Sequence, residues 1–369
     1  MRVPSLSLLI LALCGVWTPL VAEENTGQKF IVHEWGTFTT ISGSDGKALP
    51  FKPDNSDLPD FVQKDPYQEK KLITSTVSLE TPVLYAYAPK AMTFGVKVRF
   101  PNGEFTEWYP AGSFDHAKST HLEWPKVEVL PSENHKLPDG SGGPRYYHAR
   151  KTDAARLRVQ VGQETQYEKF IFYRGAGRCE FPAGLTASPS GHFTFRNSAQ
   201  APVAALFLVA VQNKKVRFLE HSAVAAGSEA SLQIPVEHSD VDKLADALTR
   251  VLVQEGMYKK EARAMVATWR DHWFEEDGTR VLYFVPRVVT EDFLPLEVAP
   301  KPDELARVMI GRMEIFTPER EAELRALMAA AEKGSPEDQR EASKVLAKLG
   351  RLATPARARV EQLIQAEKK

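Results

Sequence analysis

"FIVHEWGTFTT", running from Phe30 to Thr40, has the composition of a β-strand with a histidine, a glutamate and a tryptophan set side by side inside it. In a regular strand, successive side chains point to opposite faces. His33 and Trp35 then share one face with Ile31, while Glu34 shares the other with Phe30, Val32 and Phe38. His33 and Glu34 therefore cannot meet the same substrate atom unless the strand bulges, and Gly36 is the local residue that would permit it. Glu34 is left as a carboxylate on an apolar face, where an unpaired charge costs several kcal/mol (roughly 1–3 even for a neutral polar group) or takes up a proton.

A partner for Glu34 follows from the same counting elsewhere. In "KFIFYRGAG" (169–177), Arg174 falls on the face of Phe170 and Phe172, an equally awkward place for a charge. Glu34 and Arg174 are therefore expected to meet inside a β domain. Glu80 in "LETPVLYAY", counted onto the face of Leu84 and Ala86, is the competing carboxylate. Such a network is either a buried salt bridge that fixes strand register or a polar pocket. In the pocket, Glu34 or Glu80 is the acid or base, and Arg174 holds an anionic or carbohydrate ligand between Trp35, Trp108 and Tyr109. His33 and Glu180 complete the candidate ligand-binding set.

Around this strand the chain reads as mainly β, followed by a helical C-terminal region: an α+β, multidomain organisation of antiparallel, sandwich-like β units and then helices. "FGVKVRF" and "EFTEWY" flank Asn102-Gly103, whose residues accept positive φ, so a hairpin is expected there. "RLRVQV" and "EKFIFYR" flank "GQETQ" in the same way. Residues 110–150, with "LPDGSGGP" inside them, read as a long surface loop, as does 42–60. The β-rich unit spans 23–187, and a small sandwich-like unit, 188–237, follows from "HFTFRN", "APVAALFLVAVQ", "KKVRFLE" and "ASLQIP".

From Ser239 the apolar period becomes helical, giving a helical pair plus a short strand over 238–300. Tyr258, Ala262, Met265, Val266, Trp269 and Trp273 form one core-facing stripe. Three hydroxyl–proline pairs, Thr317-Pro318, Ser335-Pro336 and Thr354-Pro355, mark helix starts in a tail over 301–369. Its last part looks like half of a HEAT-type pair, a cap or docking surface.

The N-terminus carries Arg2, an apolar run from Leu8 to Trp17, a Thr18-Pro19 break and then Leu20-Val21-Ala22. Residues 1–22 read as a signal peptide, since a membrane span needs about 20 apolar residues and this run is roughly half that. Cys14 raises a lipoprotein alternative, against which Leu13 stands where a small residue is expected. An exported chain, periplasmic or secreted, with no transmembrane span in its mature part is the expectation. Removal of the leader leaves Cys179 as the sole thiol, beside Arg178, so no internal disulfide is available.

Of 369 residues, 47 are Lys or Arg and 48 Asp or Glu, a net charge of −1. No basic excess draws the molecule to nucleic acid. Metal binding finds little support: "HEWGT" is not H-E-x-x-H, and His116, His121, His135 and His148 are scattered through a loop without a cysteine pair. "PDNSD" lacks the later glutamate of a calcium loop, and "GAG" at 175–177 lacks the third glycine of a dinucleotide fingerprint. Ser44 to Lys47 matches S-x-x-K only within a turn-rich loop. His272, near Glu275 and Glu276, sits where histidine favours a helix end. No cofactor is implied.

"VHEWGTFT" just after the leader, "ETPVLYAY" with "VRFPNGEFTEWYP", "KFIFYRGAG" and "DHWFEEDGTRVLYFVPR" together resemble a group of exported bacterial proteins that share an N-terminal HEWGTFT motif. The resemblance spans most of the chain beyond the leader. It implies export and that these segments belong together, and implies no activity, cofactor or catalytic residue. The leading expectation is a binding or assembly module of the cell envelope with a protein or glycan partner. The alternative is a glycan hydrolase using Glu34, Glu80 or Glu180; it requires two carboxyls about 5 to 9 Å apart across a sugar.

Overall fold

The computed structural model describes residues 29–52, 57–66, 75–114 and 119–368. The expected leader over 1–22, most of "PDNSD" and His116 lie outside the described residues. In chain order the strands are β1 (Ile31–Ser42), β2 (Gln63–Lys64), β3 (Val77–Tyr87), β4 (Met92–Arg99), β5 (Gly103–Tyr109), β6 (Ser113–Phe114), β7 (His121–Leu130), β8 (Arg156–Val161) and β9 (Glu164–Glu168). They continue with β10 (Ile171–Gly177), β11 (Ala183–Ala187), β12 (His192–Asn197), β13 (Leu206–Gln212), β14 (Lys215–His221), β15 (Glu229–Gln233), β16 (Gly278–Val285), β17 (Leu296–Ala299) and β18 (Glu304–Ile315). The helices are α1 (Val241–Gln254), α2 (Lys259–Phe274), α3 (Arg287–Phe293), α4 (Pro318–Lys333), α5 (Pro336–Ala347) and α6 (Ala353–Glu367). The chain is thus a β-sheet core followed by C-terminal helices, an α+β fold, as its patterning implies.

A nine-stranded sheet in the order β14-β13-β16-β18-β1-β3-β10-β5-β2 runs through the middle of the molecule. β1 lies inside it, antiparallel to β3 and parallel to β18. Both faces of β1 are covered, which suits a strand with a parallel neighbour. Val32 and Phe38 pack toward the six-stranded sheet of β4, β6, β7, β8, β9 and β17 and the three-stranded sheet of β11, β12 and β15. Ile31 and Trp35 pack toward α1 and α2, where Leu244, Leu248, Met265, Trp269 and Trp273 form the opposing stripe. That stripe is core, as the helical period predicts.

β1 itself does not bulge at Gly36. The extra residue sits on the facing strand: Trp35 pairs with Val83 but Thr37 with Glu80, so three residues of β3 span two of β1. Thr81 takes up the slack with φ +46°, in the left-handed region. Gly36 is required beside it, because a Cβ there would come within 3.0 Å of the Pro82 Cα and the Met309 Sδ. The slip reverses which face later β3 residues occupy. Val83 and Tyr85 face the helices, whereas Leu79 and Val77 face the other sheets. Glu80 therefore lies on the helix side, not on the face of Leu84 and Ala86.

Several expected boundaries come out differently. Residues 304–315, counted in the helical tail, form the twelve-residue strand β18 at the centre of the large sheet. The segment expected as a small sandwich from 188 to 237 is divided: β13 and β14 extend the nine-stranded sheet, while β12 and β15 join β11 in another. The surface loop expected over 110–150 contains β7, whose Leu122, Trp124, Val127 and Val129 are buried. Pro125 interrupts its alternation and so hides the strand in the sequence.

In the tail, Thr317 and Ser335 cap α4 and α5 as expected, the latter in a reciprocal capping box with Asp338. α6 instead continues out of a 3-10 turn at Gly350–Leu352 and starts at Ala353, so Thr354 is already helical and caps nothing. The tail is packed down rather than projecting: Leu324, Leu349, Ala356 and Val360 close over Ile41, Leu49, Phe51 and Phe316. No helix of the described residues is long and apolar enough to cross a membrane.

Candidate functional site

The charges singled out in the sequence form two separate networks on opposite faces of the large sheet. Glu34 faces the β side. Its Oε2 accepts from the Nε of Arg307, its register partner on β18, at 2.6 Å, and Oε1 accepts from the Tyr173 hydroxyl. Arg307 also donates to the Leu294 carbonyl at 2.7 Å. Glu34 is 1% exposed, so this network is sealed from solvent. The expected Glu34–Arg174 pair is not formed, because Arg174 follows Phe172 onto the helix face. The partner of Glu34 comes from β18, a strand that the sequence pattern had left in the tail.

Arg174 instead grips Asp57 with both terminal nitrogens, at 2.7 and 3.0 Å. Asp57 is shared with Arg145 at 3.5 Å. These three, with Glu80, Trp269, His272, Arg312 and Arg351, enclose a small polar cavity of about 20 Å³, room for one water molecule. They are drawn from several elements. Arg174 is on β10, Glu80 on the slipped part of β3, Arg312 on β18, and Trp269 and His272 on the last turns of α2; Arg351 sits in the turn before α6. Thr39 donates its hydroxyl to Glu80 at 2.8 Å, fixing that carboxylate from β1.

Behind the cavity the cations are held by two further carboxylates and by a helix end. Glu314 binds Arg280 at 2.9 Å, Arg312 at 2.5 Å and Arg351 at 3.2 Å. Glu276 binds Arg312 and Arg351 at 3.0 and 2.9 Å. Arg280 donates to the carbonyls of Trp273 and Glu276, and Arg312 to that of His272. The negative end of α2 thus faces the guanidinium cluster, which is where a helix dipole favours cations.

Electrostatics follow from this crowding. Burial pushes the Asp57 carboxyl up, but Arg174 and Arg145 outweigh it and hold it below the usual carboxylate range. Glu314 is likewise depressed, with Arg280, Arg312 and Arg351 prevailing over burial, and Glu276 is held far below the normal range, against burial, by His272, Arg351 and Arg312. Burial, with Arg351 and Arg280 alongside, draws Arg312 below its ordinary value. The cavity therefore sets guanidinium groups beside Asp57, whose carboxylate stays ionised at neutral pH, with Glu314 and Glu276 ionised behind them.

Of the sequence-derived candidates, Arg174 and Glu80 meet in this cavity. Glu34 lies across the sheet. Trp35 and Tyr109 are buried in the helix-side core and Trp108 in the opposite one, its ring tilted against that of Phe114, so these rings are not walls of one ligand site. Glu180 is exposed in the turn between β10 and β11. His33 lies under α2, its Nδ1 2.9 Å from Glu261 Oε2. The pocket residues that sequence reasoning passed over were Asp57, Arg145, Arg312 and Arg351, with Trp269 and His272 assigned only packing or dipole roles. A signal existed for Arg312: "VMIGRMEI" is a buried-strand pattern with two charges in it.

Two other expectations are decided by geometry. Glu34 and Glu80, on opposite faces with Glu34 sealed, cannot flank a sugar, which removes the glycosidase that would use that pair. Cys179 is half-buried, and burial pushes its thiol up to about 11, the opposite of an activated nucleophile. Among the described residues, no group of three or more His, Cys, Asp or Glu is arranged to hold a metal ion.

No protein-family model matches the chain, and no curated protein matches it. Among solved structures it is similar to the yeast delta-COP-I mu-homology domain, at 11% identity and a TM-score of 0.30, covering 78% of this chain and 95% of that one. The same domain complexed with a Dsl1 WxWxV peptide gives 10% identity, a TM-score of 0.32, and 78% and 96% coverage. At these scores no functional inference passes from those domains to this chain.

Proposed function

We propose that this chain is a binding module of the cell envelope, and that the arginine-lined cavity is where it receives a carboxylate presented by a partner protein. The observation that carries this reading is the Asp57 carboxylate seated two-pronged on Arg174 with Arg145 beside it. This is the planar fork geometry by which arginine takes a carboxylate. Arg312 and Arg351 stand across the same cavity. A space of about 20 Å³ has no room for a sugar ring, which favours an acidic side chain over a glycan, with Asp57 yielding its place. The N-terminal residues support export, and the resemblance to exported HEWGTFT proteins belongs to the same proposal.

The test is the melting temperature of the full chain with succinate or a hexaglutamate peptide, against chloride at equal ionic strength. Stabilisation by about 2 kcal/mol or more at saturating ligand is expected. Arg145→Ala, at a partly exposed position, should abolish it while leaving the fold intact. No stabilisation of the wild-type chain beyond chloride would overturn the proposal. Export is checked by sequencing the N-terminus of protein recovered from its host, which should begin near Glu23.

A further inference from the structure

The large sheet has a notch beside β18. β1 follows one edge of β18 along its whole length, from Ile31 opposite Glu304 to Ser42 opposite Ile315. On the other edge β16 covers only Met309 to Ile315, because Val285, the partner of Met309, is followed by Pro286 and the start of α3. Glu304 to Val308 therefore have no neighbouring strand on that edge. The backbone groups of successive residues point to opposite edges of a strand. The Leu305 carbonyl accepts from Arg287 Nη1 at 2.8 Å, on the edge away from β1, so Leu305 and Arg307 are the residues whose N–H and C=O groups face the notch. Among the described residues, nothing bonds to the Leu305 N–H or to the N–H and C=O of Arg307 there.

The notch opens into a cleft of about 600 Å³ whose two sides differ. On the β side lie Val285 and Met309, which belong to the core between the sheets. On the helix side lie Glu255 and Gly256, just past the end of α1; a Cβ on Gly256 would touch that of Ala306 at 3.8 Å. The charged side chains lining the cleft are Glu255, Arg287, Glu304 and Arg307. Arg287 is paired with Glu291 at 2.7 Å, Arg307 with Glu34 at 2.6 Å, and Glu304 Oε1 lies 4.0 Å from His33 Nε2. Glu255 has no counter-charge among the described residues, and burial alone shifts its carboxyl, upward.

We propose that an extended peptide segment of a partner protein, alternating apolar and basic residues, docks in this cleft as an added strand beside Leu305 and Arg307. Its apolar side chains cover Val285 and Met309, and a basic one meets Glu255. In this mode of recognition main-chain hydrogen bonds supply affinity and the two faces of the added strand select its sequence. The notch, Glu304–Val308, is as long as a five-residue strand, about 16 Å at roughly 3.3 Å per residue. Half-exposed Arg287 covers the Leu305 carbonyl when the cleft is empty, as a charged side chain does on a protected edge, and gives way to a peptide N–H. The proposal is independent of the arginine cavity, with which the cleft shares no residue.

The experiment is isothermal titration of the full chain with an acetylated, amidated peptide of alternating lysine and valine, five residues long. Its controls are the same peptide N-methylated at every residue and the counterpart with glutamate in place of lysine. The lysine peptide should bind about tenfold or more tightly than either control, since one lacks the main-chain donors and the other the charge. Hydrogen exchange at the Leu305 and Arg307 amides should slow about tenfold or more on binding. Glu255→Gln, at an exposed position, should lose most of the preference for lysine over glutamate, and its unchanged melting temperature would show that the fold is kept. Absent binding of the lysine peptide, equal binding of the N-methylated one, unslowed exchange at the two amides, or unaltered charge preference in Glu255→Gln would each overturn the proposal. So would a dimer in which those amides are already protected, which would give the edge to a second copy of the chain.

Discussion

Glu34 and Arg174 illustrate how much hangs on one strand neighbour. Each was legible from alternation as a charge forced onto an apolar face, and each is indeed paired, but with other residues. Alternation fixes the face a side chain takes within its own strand; it says nothing about which faces of two strands coincide. The consequence is measurable. Glu34→Gln leaves Arg307 buried without its counter-charge and should cost roughly 3–5 kcal/mol. Arg174→Ala should be destabilising in its own right, since Asp57 then keeps only Arg145. Because the two sit on opposite sides of the sheet with no shared partner, the double variant should be additive within about 0.5 kcal/mol. A coupling well above 1 kcal/mol in urea unfolding would contradict the separation. Cys179 gives a simpler check: its alkylation by iodoacetamide should be slow at pH 7.5 and accelerate only toward pH 11.

At the level of elements, the slip in β3 governs the candidate site. Without the additional residue at Thr81, Glu80 would point into the opposite core and the arginine cavity would lack a carboxylate wall. Thr81 is in a conformation that costs a β-branched residue about 1–2 kcal/mol. Thr81→Gly should therefore stabilise the chain by about 0.5–1 kcal/mol after the loss of glycine's chain entropy, seen as a raised urea midpoint; a lowered midpoint would mean that the threonine side chain holds the slip in place. The slip explains why Glu80 was placed on the wrong face from sequence, as strict period-two counting has no way to register an inserted residue. Elements with clean local signals were legible: the tryptophan stripe of α2 and the two capped tail helices. The hairpin expected at Asn102-Gly103 is not formed: the chain turns there, but β4 pairs with β7 and β17 in the six-stranded sheet and β5 with β10 and β2 in the nine-stranded one. β7 was not legible, with Pro125 inside it, and nor was β18, whose apolar pattern is interrupted by Arg312 and Glu314.

Across the whole molecule, the charged clusters set the response to acid. Asp57, Glu276 and Glu314 titrate lower in the folded chain than in the unfolded one, where such groups have values near about 4. Their stabilisation is present above those unfolded values and lost as the pH falls through the folded ones. Glu168 works in the opposite direction: burial outweighs Arg150 and raises it, so its contribution is largest in acid and fades as the pH rises. Glu255, raised by burial, works alongside Glu168, but with Glu276 held far below the normal range the depressed clusters prevail and the urea midpoint should drop between pH 5 and pH 3; an unchanged midpoint at pH 3 would rule the clusters out as the cause. The tail belongs to the same unit, since it covers Phe51 and supplies Arg351 to Glu314. Deleting everything from Thr317 should therefore yield insoluble or molten protein, and a truncated chain with the original melting temperature would show the tail to be dispensable. Fold class was readable because composition and period carry it. Long-range partnership was not, because β1 meets β18 across some 270 residues of intervening chain.

That distant pairing has a consequence for how the protein comes into being. Ile31–Ser42 is synthesised well before the strand that lies parallel beside it, Glu304–Ile315. Until then β1 has an open edge and two apolar faces, one awaiting α1 and α2. Late closure of this kind makes assembly slow and leaves the nascent chain prone to association. A holding chaperone acting on this protein during synthesis would find its binding segment in the same eleven residues, Phe30 to Thr40, that later become the middle of the finished sheet.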